Sequence, residues 1–334
     1  MQRSVKPYEP GVDEMARGIL AGDRHMLSRA ITLVESTKPE HEKRAHEILD
    51  RCLAEKKETL RIGITGSPGA GKSTFIEALG EMIISEGHRL AVLAIDPSSS
   101  RSRGSILGDK ARMEKLAGKS EAFIRPTASS GHLGGTSPKT HEAIVLCEAA
   151  GFDVIIVETV GVGQSEIMID SMVDFILLLM LPGSGDELQG IKRGIMEIAD
   201  AIAITKADGR QADLANVSRA DFAAALAMLP PRHPFHERRT FLTSALSGTG
   251  IGDVWLEIRD TVALMRNNNV LQARRQEQLG LLLHTVLDGM LRARFFGDPS
   301  VQSLQAGIEH RVRSGNLSPF SGAKTLLDAF HPKP

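Results

Sequence analysis

A glycine-rich octapeptide, set between an apolar run and a helical pattern, constrains the fold of this chain most. Residues 60–65 form the apolar run, residues 66–73 read GSPGAGKS, and a helical pattern begins at Thr74. This is the strand, loop and helix context that a P-loop requires. Glycines let the backbone wrap around phosphates so that amide N–H groups and the helix N-terminus face the anion. The sequence therefore predicts a nucleoside triphosphate site in which Lys72 neutralises the β- and γ-phosphates and Ser73 ligates Mg²⁺.

Composition excludes several other classes of protein. A chain of 334 residues with 42% hydrophobic residues can build one large α/β domain with extensions, or two domains. A net charge of −1, one Trp and one Tyr give no reason to expect a nucleic acid partner. The most apolar stretch, residues 175–181, is far shorter than the ~20 residues of a membrane span and is typical of a buried strand. Cys52 and Cys147 are isolated and the first ten residues lack a signal or transit pattern, so we expect a reducing cytoplasm.

Apolar runs alternate with helical patterns from Leu60 onward, which predicts an α/β P-loop NTPase with a mostly parallel sheet flanked by helices. The predicted strands are residues 60–65, 90–95, 122–124, 154–157, 175–181, 201–204 and 241–242.

Helical patterns precede and follow this region. One helix capped by Asp23 and another between Pro39 and Lys57 predict a helical N-terminal extension over residues 1–57, before a P-loop domain over residues 58–262. Beyond Trp255 the pattern is all-helical, and a Leu-rich stripe follows Leu279. The stripe can pack on its own domain or on a second copy. We favour a homodimer, with residues 263–334 as the dimerisation arm, because an extended arm has little core nearby to cover its leucines.

Three carboxylates are candidates for holding Mg²⁺, directly or through water. Asp96 and Glu158 end predicted strands, where doubly wound sheets bind ligands, and Asp109 lies in a Ser- and Gly-rich segment over residues 98–110. The alternative is that such strand-end acids cap neighbouring helices.

Residues 158–161, Glu-Thr-Val-Gly, are similar to the Asp-x-x-Gly motif that senses the γ-phosphate in GTPases, and the amide of Gly161 is expected to contact that phosphate. The glutamine that directly follows this glycine in Ras-type enzymes is replaced by Val162, and Gln164 comes two residues later. We therefore expect slow intrinsic hydrolysis unless a partner completes the site. A non-catalytic guanine-nucleotide scaffold is the alternative.

The choice of base is predicted from residues 205–208, Thr-Lys-Ala-Asp, a variant of Asn-Lys-x-Asp with Thr205 in first place. Asp208 can accept hydrogen bonds from guanine N1–H and the 2-amino group, and adenine offers neither donor. At ~1.5–3 kcal/mol for each bond to a charged group, discrimination should exceed roughly a hundredfold. Residues 243–246, Thr-Ser-Ala-Leu, resemble a base-contact loop and favour guanine over a plain surface turn.

The order of these motifs over nearly the whole chain resembles the MeaB/ArgK family, GTPase chaperones of adenosylcobalamin-dependent methylmalonyl-CoA mutase. The resembling segments are residues 66–73, 96–99, 104–110, 158–166 and 205–208. The resemblance implies GTP or GDP as the ligand, with Mg²⁺ near Ser73, Asp96, Asp109 and Glu158. The nucleotide-binding residues that it implies, with the guanine contacts last, are Gly66, Ser67, Pro68, Gly69, Ala70, Gly71, Lys72, Ser73, Thr74, Gly161, Lys206, Asp208, Ser244, Ala245 and Leu246.

The resemblance also implies a nucleotide-responsive loop over residues 181–192 that communicates with the mutase. Gly183, Gly185 and Gly190 give this loop backbone freedom, and its charged residues can exchange ion-pair partners when the γ-phosphate leaves. Lys192 is therefore counted with Lys72, Asp96, Asp109 and Glu158 as catalytic. The alternative is a plain surface loop.

The expected function is that of a GTP-hydrolysing chaperone that gates cofactor loading of a cobalamin-dependent acyl-CoA mutase and protects or reactivates it, with methylmalonyl-CoA mutase first among clients. Two other functions stay open, a kinase for a transport-associated binding protein and a metallochaperone GTPase. The second should show a His- or Cys-rich tract, which the sequence lacks, and His132 and His141 lack ligand spacing for zinc.

Overall fold

The computed structural model describes residues 9–53, 58–96, 113–128, 136–159, 168–184 and 193–330. The chain divides into two compact units, Met1–Gln278 and Leu279–Pro334. The boundaries predicted after residues 57 and 262 separate functional parts and not compact units. They stay a prediction.

Seven parallel strands form one sheet in the order β3-β2-β4-β1-β5-β6-β7. The strands are β1 (Leu60–Gly66), β2 (Leu90–Asp96), β3 (Ala122–Ala128), β4 (Val154–Thr159), β5 (Phe175–Met180), β6 (Ala201–Ile204) and β7 (Arg239–Leu242). All seven predicted strands are present, and the predicted α/β class is confirmed. In a parallel sheet every strand points the same way, so the carboxyl ends of all seven meet at one edge.

Helices cover both faces of the sheet, which explains why its strands are apolar along their whole length. The helices interleaved with the strands, with the helix that follows β7, are α4 (Lys72–Ser85), α5 (Glu114–Ala117), α6 (Thr136–Ala149), α7 (Arg193–Ile198), α8 (Ala212–Ala227) and α9 (Ile251–Asn267). Strand residues alternate between the two cores. Ile155 packs in the core that contains α6, and Ile156 packs in the core that contains α4 and α9.

Three helices precede the sheet among the described residues, and the apolar spacing predicted the second and the third of them. They are α1 (Val12–Leu20), α2 (Arg24–Glu35) and α3 (Pro39–Cys52). The predicted cap is confirmed, because the Asp23 carboxylate accepts hydrogen bonds from the backbone N–H groups of His25 and Met26. Buried residues of these helices join the core on the α6 face of the sheet.

The chain ends in helices α10 (Val270–Phe296), α11 (Pro299–Arg313) and α12 (Pro319–Ala329). Within the unit 279–334 Val301 is fully buried, but many large apolar side chains are exposed. They include Leu279, Leu281, Leu283, Leu287, Met290, Leu291 and Phe320. No helix among the described residues has the length and apolar character that crossing a membrane requires.

Candidate nucleotide-binding site

The candidate site lies at the carboxyl edge of the sheet, where β1 gives way to α4. Strand β1 ends at Gly66, and α4 begins at Lys72 with Gly71 as its N-cap. The loop between them is the P-loop that the sequence predicted. A helix N-terminus directed at this loop presents unpaired N–H groups and a positive dipole end to an anion.

Glycine is required in the loop for two different reasons. At Gly66 a Cβ atom would lie 2.1 Å from the carbonyl oxygen of Leu179 in β5, so only glycine permits this approach. Gly69 and Gly71 have φ angles of 81° and 78°, in the left-handed region that favours glycine. The loop therefore makes close contact with β5 at Gly66, and it changes direction at Gly69 and Gly71, where the backbone is left-handed.

The first two side chains of α4, Lys72 and Ser73, make hydrogen bonds at the P-loop and at the end of β4. The Lys72 ammonium donates hydrogen bonds to the carbonyl oxygens of Gly66, at 2.9 Å, and Ser67, at 3.2 Å, so the cation lies inside the loop. The Ser73 hydroxyl donates to Glu158 Oε1 at 3.3 Å. Ser73 and Glu158, 85 residues apart in sequence, were both predicted as metal ligands, and the structure brings them together.

The other predicted residues of the phosphate side are placed less fully. Asp96 is the last residue of β2, and β4 lies between β2 and β1 in the sheet. Asp109, Gly161 and Lys192 lie outside the described residues, as does the loop over residues 185–192. Their predicted roles stay predictions.

A cavity of about 320 Å³ opens beside the P-loop. Three predicted segments line it together: the end of the P-loop with the start of α4, residues 205–208, and residues 244–246. The lining residues are Ala70, Gly71, Thr74, Phe75, Thr205, Lys206, Asp208, Gln211, Ser244, Ala245 and Leu246. Gln211 was not predicted from the sequence, because no motif position points to it.

Hydrogen bonds hold in place the residues that were predicted to recognise the base. The Ser244 hydroxyl donates to Asp208 Oδ2 at 3.0 Å, which orients the carboxylate predicted to read guanine. The backbone N–H of Ala207 donates to the carbonyl oxygen of Thr243 at 3.0 Å and ties the two loops together. Lys206 has a φ of 54°, which is uncommon for a residue with a side chain and is characteristic of functional sites.

Thr205 has a role that sequence reasoning missed. Its buried hydroxyl lies 2.8 Å from the carbonyl oxygen of Ala70 in the P-loop and 3.1 Å from that of Met180. The sequence marked Thr205 only as a departure from asparagine. The structure shows that its hydroxyl links residues 205–208 directly to the P-loop.

The described residues fit a nucleoside triphosphate with Mg²⁺. The loop begins at Gly66, where a Cβ atom would collide with the Leu179 carbonyl oxygen of β5. The Lys72 ammonium lies inside the loop, and a cavity of about 320 Å³ adjoins it. The hydroxyl of Ser73 and the carboxylate of Glu158 are hard oxygen donors of the kind that Mg²⁺ accepts.

A P-loop at the carboxyl edge of a parallel sheet, with a cavity beside it, defines a P-loop nucleoside triphosphatase. Residues 27–300 match the family model described as "Methylmalonyl Co-A mutase-associated GTPase MeaB". The chain belongs to this family and is a GTPase.

Individual relatives agree with this assignment. A "Putative GTPase" of Caulobacter vibrioides is 47% identical over 96% of this chain and 98% of its own length. The "Methylmalonic aciduria type A homolog, mitochondrial" of Mus musculus is 44% identical over 96% of this chain and 79% of its own length. A solved structure titled "Crystal structure of LAO/AO transport system kinase" is 36% identical, has a TM-score of 0.76, and is matched over 97% of this chain and 99% of its own. Both the family and the P-loop fold are thus shared along nearly the whole chain.

Proposed function

We propose that the protein is a GTP-hydrolysing chaperone of an adenosylcobalamin-dependent acyl-CoA mutase, with methylmalonyl-CoA mutase as its first candidate client. The observation that carries the proposal is the joining of the P-loop to Asp208 and Ser244 around one cavity, in a chain whose family is described as mutase-associated. In this role GTP binding and hydrolysis time the loading of intact cofactor and the removal of damaged cofactor.

The chemistry at the phosphate side follows from the positions of the side chains. GTP and water give GDP and phosphate. The Lys72 ammonium exchanges its backbone carbonyl partners for the β- and γ-phosphate oxygens and stabilises the charge that develops on them. Ser73 and Glu158 would hold Mg²⁺, which would supply electrostatic stabilisation of the phosphates.

Selection of guanine depends on Asp208. Its carboxylate is held by Ser244 and lines the cavity next to Lys206, whose stem passes 3.8 Å from the position that a Cβ on Gly71 would occupy. A carboxylate in this place accepts hydrogen bonds from guanine N1–H and the 2-amino group, and adenine leaves it unsatisfied.

Communication with the mutase is assigned to the loop over residues 181–192, of which residues 181–184 are described. The start of the loop is anchored on α8, because the N–H of Gly183 donates to the Ser218 hydroxyl at 2.8 Å. An anchored start with glycine-rich residues beyond it supports a segment that changes conformation about a fixed point. Lys192, in the remainder of this loop, is proposed to act in the coupling.

A homodimer formed through residues 263–334 is also part of the proposal. The unit 279–334 exposes a row of leucines on α10, and side chains of this kind are commonly buried in an interface. We propose three functional parts: the helical N-terminal extension over residues 1–57, the GTPase domain over residues 58–262 and this arm.

The cytoplasm stays the proposed compartment. Cys52 and Cys147 are free and buried, and burial raises the pKa of the Cys52 thiol to about 11. Two inert thiols are compatible with a reducing environment. The mouse relative is described as mitochondrial, so the compartment need not be the same throughout the family.

A kinase function is kept as the second candidate because a solved relative carries that description. Such a kinase binds and activates the γ-phosphate in the same way but transfers it to an acceptor protein. Asp208 argues for a guanine nucleotide as the donor.

The experiment that tests the proposal is steady-state hydrolysis of GTP and ATP, each with and without purified apo methylmalonyl-CoA mutase. We expect slow, GTP-selective turnover that rises when the mutase is added. Lys72→Ala is the control for contaminating hydrolases, because it removes the cation inside the P-loop.

Each result decides between the candidates. GTP turnover that does not respond to the mutase would contradict this client, and a preference for ATP would contradict the role of Asp208 and favour the kinase. Lys192→Ala is expected to retain nucleotide binding but to lose mutase stimulation. Normal stimulation of this variant would remove Lys192 from the coupling.

A further inference from the structure

A carboxylate shared by two arginines lies away from the cavity that the P-loop lines. Asp170 Oδ1 accepts hydrogen bonds from the guanidinium groups of Arg232 and Arg274, and the distance to Arg274 is 2.6 Å. The Arg232 and Arg274 side chains are only 10% and 14% exposed. Because both guanidinium groups bond to the same carboxylate oxygen, a displacement of Asp170 changes the contacts of both arginines.

Arg232 connects Asp170 to the segment that follows the loop over residues 181–192. Its guanidinium also donates to the carbonyl oxygen of Ile198 and to Asp200 Oδ2, the latter at 2.9 Å. Ile198 is the last residue of α7, and α7 begins directly after that loop. One guanidinium therefore bonds both to Asp170 and to the end of α7.

Arg274 and Gln278 connect the same region to α10. The Gln278 amide donates to the carbonyl oxygens of Asp170 and Val173, both at 2.8 Å, and Arg274 Nε donates to that of Val173 at 3.3 Å. The first turns of α10 thus bind the backbone of residues 170–173 as well as the Asp170 carboxylate.

Residues 168–173 also pack on β1, close to the P-loop. A Cβ atom at Gly63 would lie 2.7 Å from Cδ1 of Ile169 and 3.0 Å from Cγ2 of Val173. Gly63 precedes the first P-loop glycine by three residues. The same segment follows residues 158–166, which carry Glu158 and the predicted γ-phosphate motif.

We propose that Asp170, with Arg232 and Arg274, is a coupling node that transmits the nucleotide state from residues 168–174 to α7 and to the first turns of α10. The proposal rests on the proposed function only in taking residues 158–166 and 181–192 to respond to the γ-phosphate. Asp170 does not line the cavity beside the P-loop, so its proposed role is that of a positioning residue.

The test is amide hydrogen exchange of the full chain with GDP and with a non-hydrolysable GTP analogue, in wild type and in Asp170→Asn. The asparagine keeps the size of the side chain but removes the charge shared by the two arginines. In wild type we expect the analogue to slow exchange in residues 168–174 and 193–198 together. In the variant we expect slowing in residues 168–174 to persist and slowing in residues 193–198 to fall about fivefold or more, as for a typical allosteric coupling.

Glu86→Gln is the matched control. The Glu86 carboxylate is 35% exposed, close to the 34% of Asp170, and it is likewise shared by two donors, Trp255 and Arg259. It lies at the end of α4, outside the proposed connection, so both segments should respond in this variant as in wild type. Arg274→Lys keeps a cation but not the bidentate geometry, and it serves as a second variant if Asp170→Asn fails to fold.

The outcomes separate this proposal from the function proposed above. Unchanged coupling in Asp170→Asn, or in Arg274→Lys where that variant replaces it, would overturn the node. An equal loss in Glu86→Gln would overturn it as well, because the effect would then be general loosening. If the analogue gives no protection in the wild type, these segments do not respond to the γ-phosphate, and the node has no nucleotide state to transmit. Mutase-stimulated hydrolysis is measured separately, and its failure leaves this result intact.

Discussion

The carboxyl and amino edges of the sheet differ in the kinds of residues and contacts that form them. At the carboxyl edge the site is made of short contiguous motifs, in which backbone groups and glycines shape the phosphate loop. At the amino edge, pairs of oppositely charged side chains from distant parts of the sequence meet around the strand starts. The edge that binds a ligand must leave its groups available, whereas the edge that stabilises the fold can satisfy its groups internally.

Asp174 is the clearest example at the amino edge. Its carboxylate is fully buried, accepts the backbone N–H of Arg61 at 2.8 Å, and accepts two hydrogen bonds from the Arg275 guanidinium at 2.8 and 2.7 Å. Burial acts to lower the pKa of Arg275, but the hydrogen bond and charge of Asp174 outweigh it and hold that pKa above its ordinary value. Such a pair is costly to disturb because either partner would be left as a buried charge.

The largest expected effect tests whether the Asp174–Arg275 pair at the amino edge stabilises the fold without contributing to nucleotide binding. Arg275→Gln leaves the Asp174 carboxylate buried without its cation and should lower the free energy of unfolding by about 3–5 kcal/mol. Urea unfolding measures this loss, and GTP affinity of the folded variant should stay within about twofold. Arg266→Gln is the control, since its ion pair with Glu58 is exposed and should contribute at most about 1 kcal/mol. A large loss of GTP affinity in Arg275→Gln would contradict the division between the edges.

The next prediction concerns the carboxyl edge, where we expect a substitution to weaken GTP binding and to leave stability nearly unchanged. Asp208→Asn should weaken GTP binding by about a hundredfold, because a neutral amide no longer accepts two hydrogen bonds from guanine. The free energy of unfolding should change by less than about 1 kcal/mol, since Asp208 is partly exposed at the cavity. Isothermal titration with GTP measures the affinity, and Asp213→Asn in the first turn of α8 is the matched control. Unchanged GTP affinity would contradict the assignment of Asp208 to the base.

This difference also explains how much the sequence could predict. The strands and the P-loop were predictable, because each depends on periodicity or on residues adjacent in sequence. The assignment of residues 205–208 and 244–246 to the base rests on the same kind of local motif and stays a prediction. The confirmed cap at Asp23 belongs to the same class. Local chemistry of this kind is present in the sequence before folding.

The amino edge was not predictable, because its contacts join residues that lie far apart in the sequence. Asp174 and Arg275 are 101 residues apart, and Arg232 and Asp170 are 62 apart. No motif marks such pairs, and each charge alone is equally typical of a solvated surface. Strand order determines which charges meet, and strand order depends on the whole chain.

A third prediction concerns a buried histidine near the amino edge. Burial, with the nearby charge of Arg61, lowers the pKa of His141 to about 4. The unfolded chain binds this proton below about pH 6.5 and the native chain does not, so stability is lost as pH falls from about 6.5 towards 4. Between pH 7.5 and 5 this loss is about 2 kcal/mol, and His141→Gln should remove it. Urea unfolding at both pH values measures the loss, with the exposed His25→Gln as the control. An unchanged acid slope in His141→Gln would show that other groups cause it.

The smallest expected effect is at Thr205, where the two base-side loops and the P-loop meet. Thr205→Val keeps the shape of the side chain but removes the hydroxyl that lies 2.8 Å from the Ala70 carbonyl oxygen. We expect a loss of about 1 kcal/mol in GTP binding, or roughly fivefold in affinity, because the base pocket and the phosphate loop are then less firmly linked. Thr243→Val is the matched control: its buried hydroxyl donates to Ile204, at the end of β6, and does not touch the P-loop. Equal losses of affinity in the two variants would mean that the hydroxyl at position 205 only stabilises the strand end. A loss confined to Thr205→Val would show that, at the carboxyl edge, even a stabilising hydrogen bond serves the ligand.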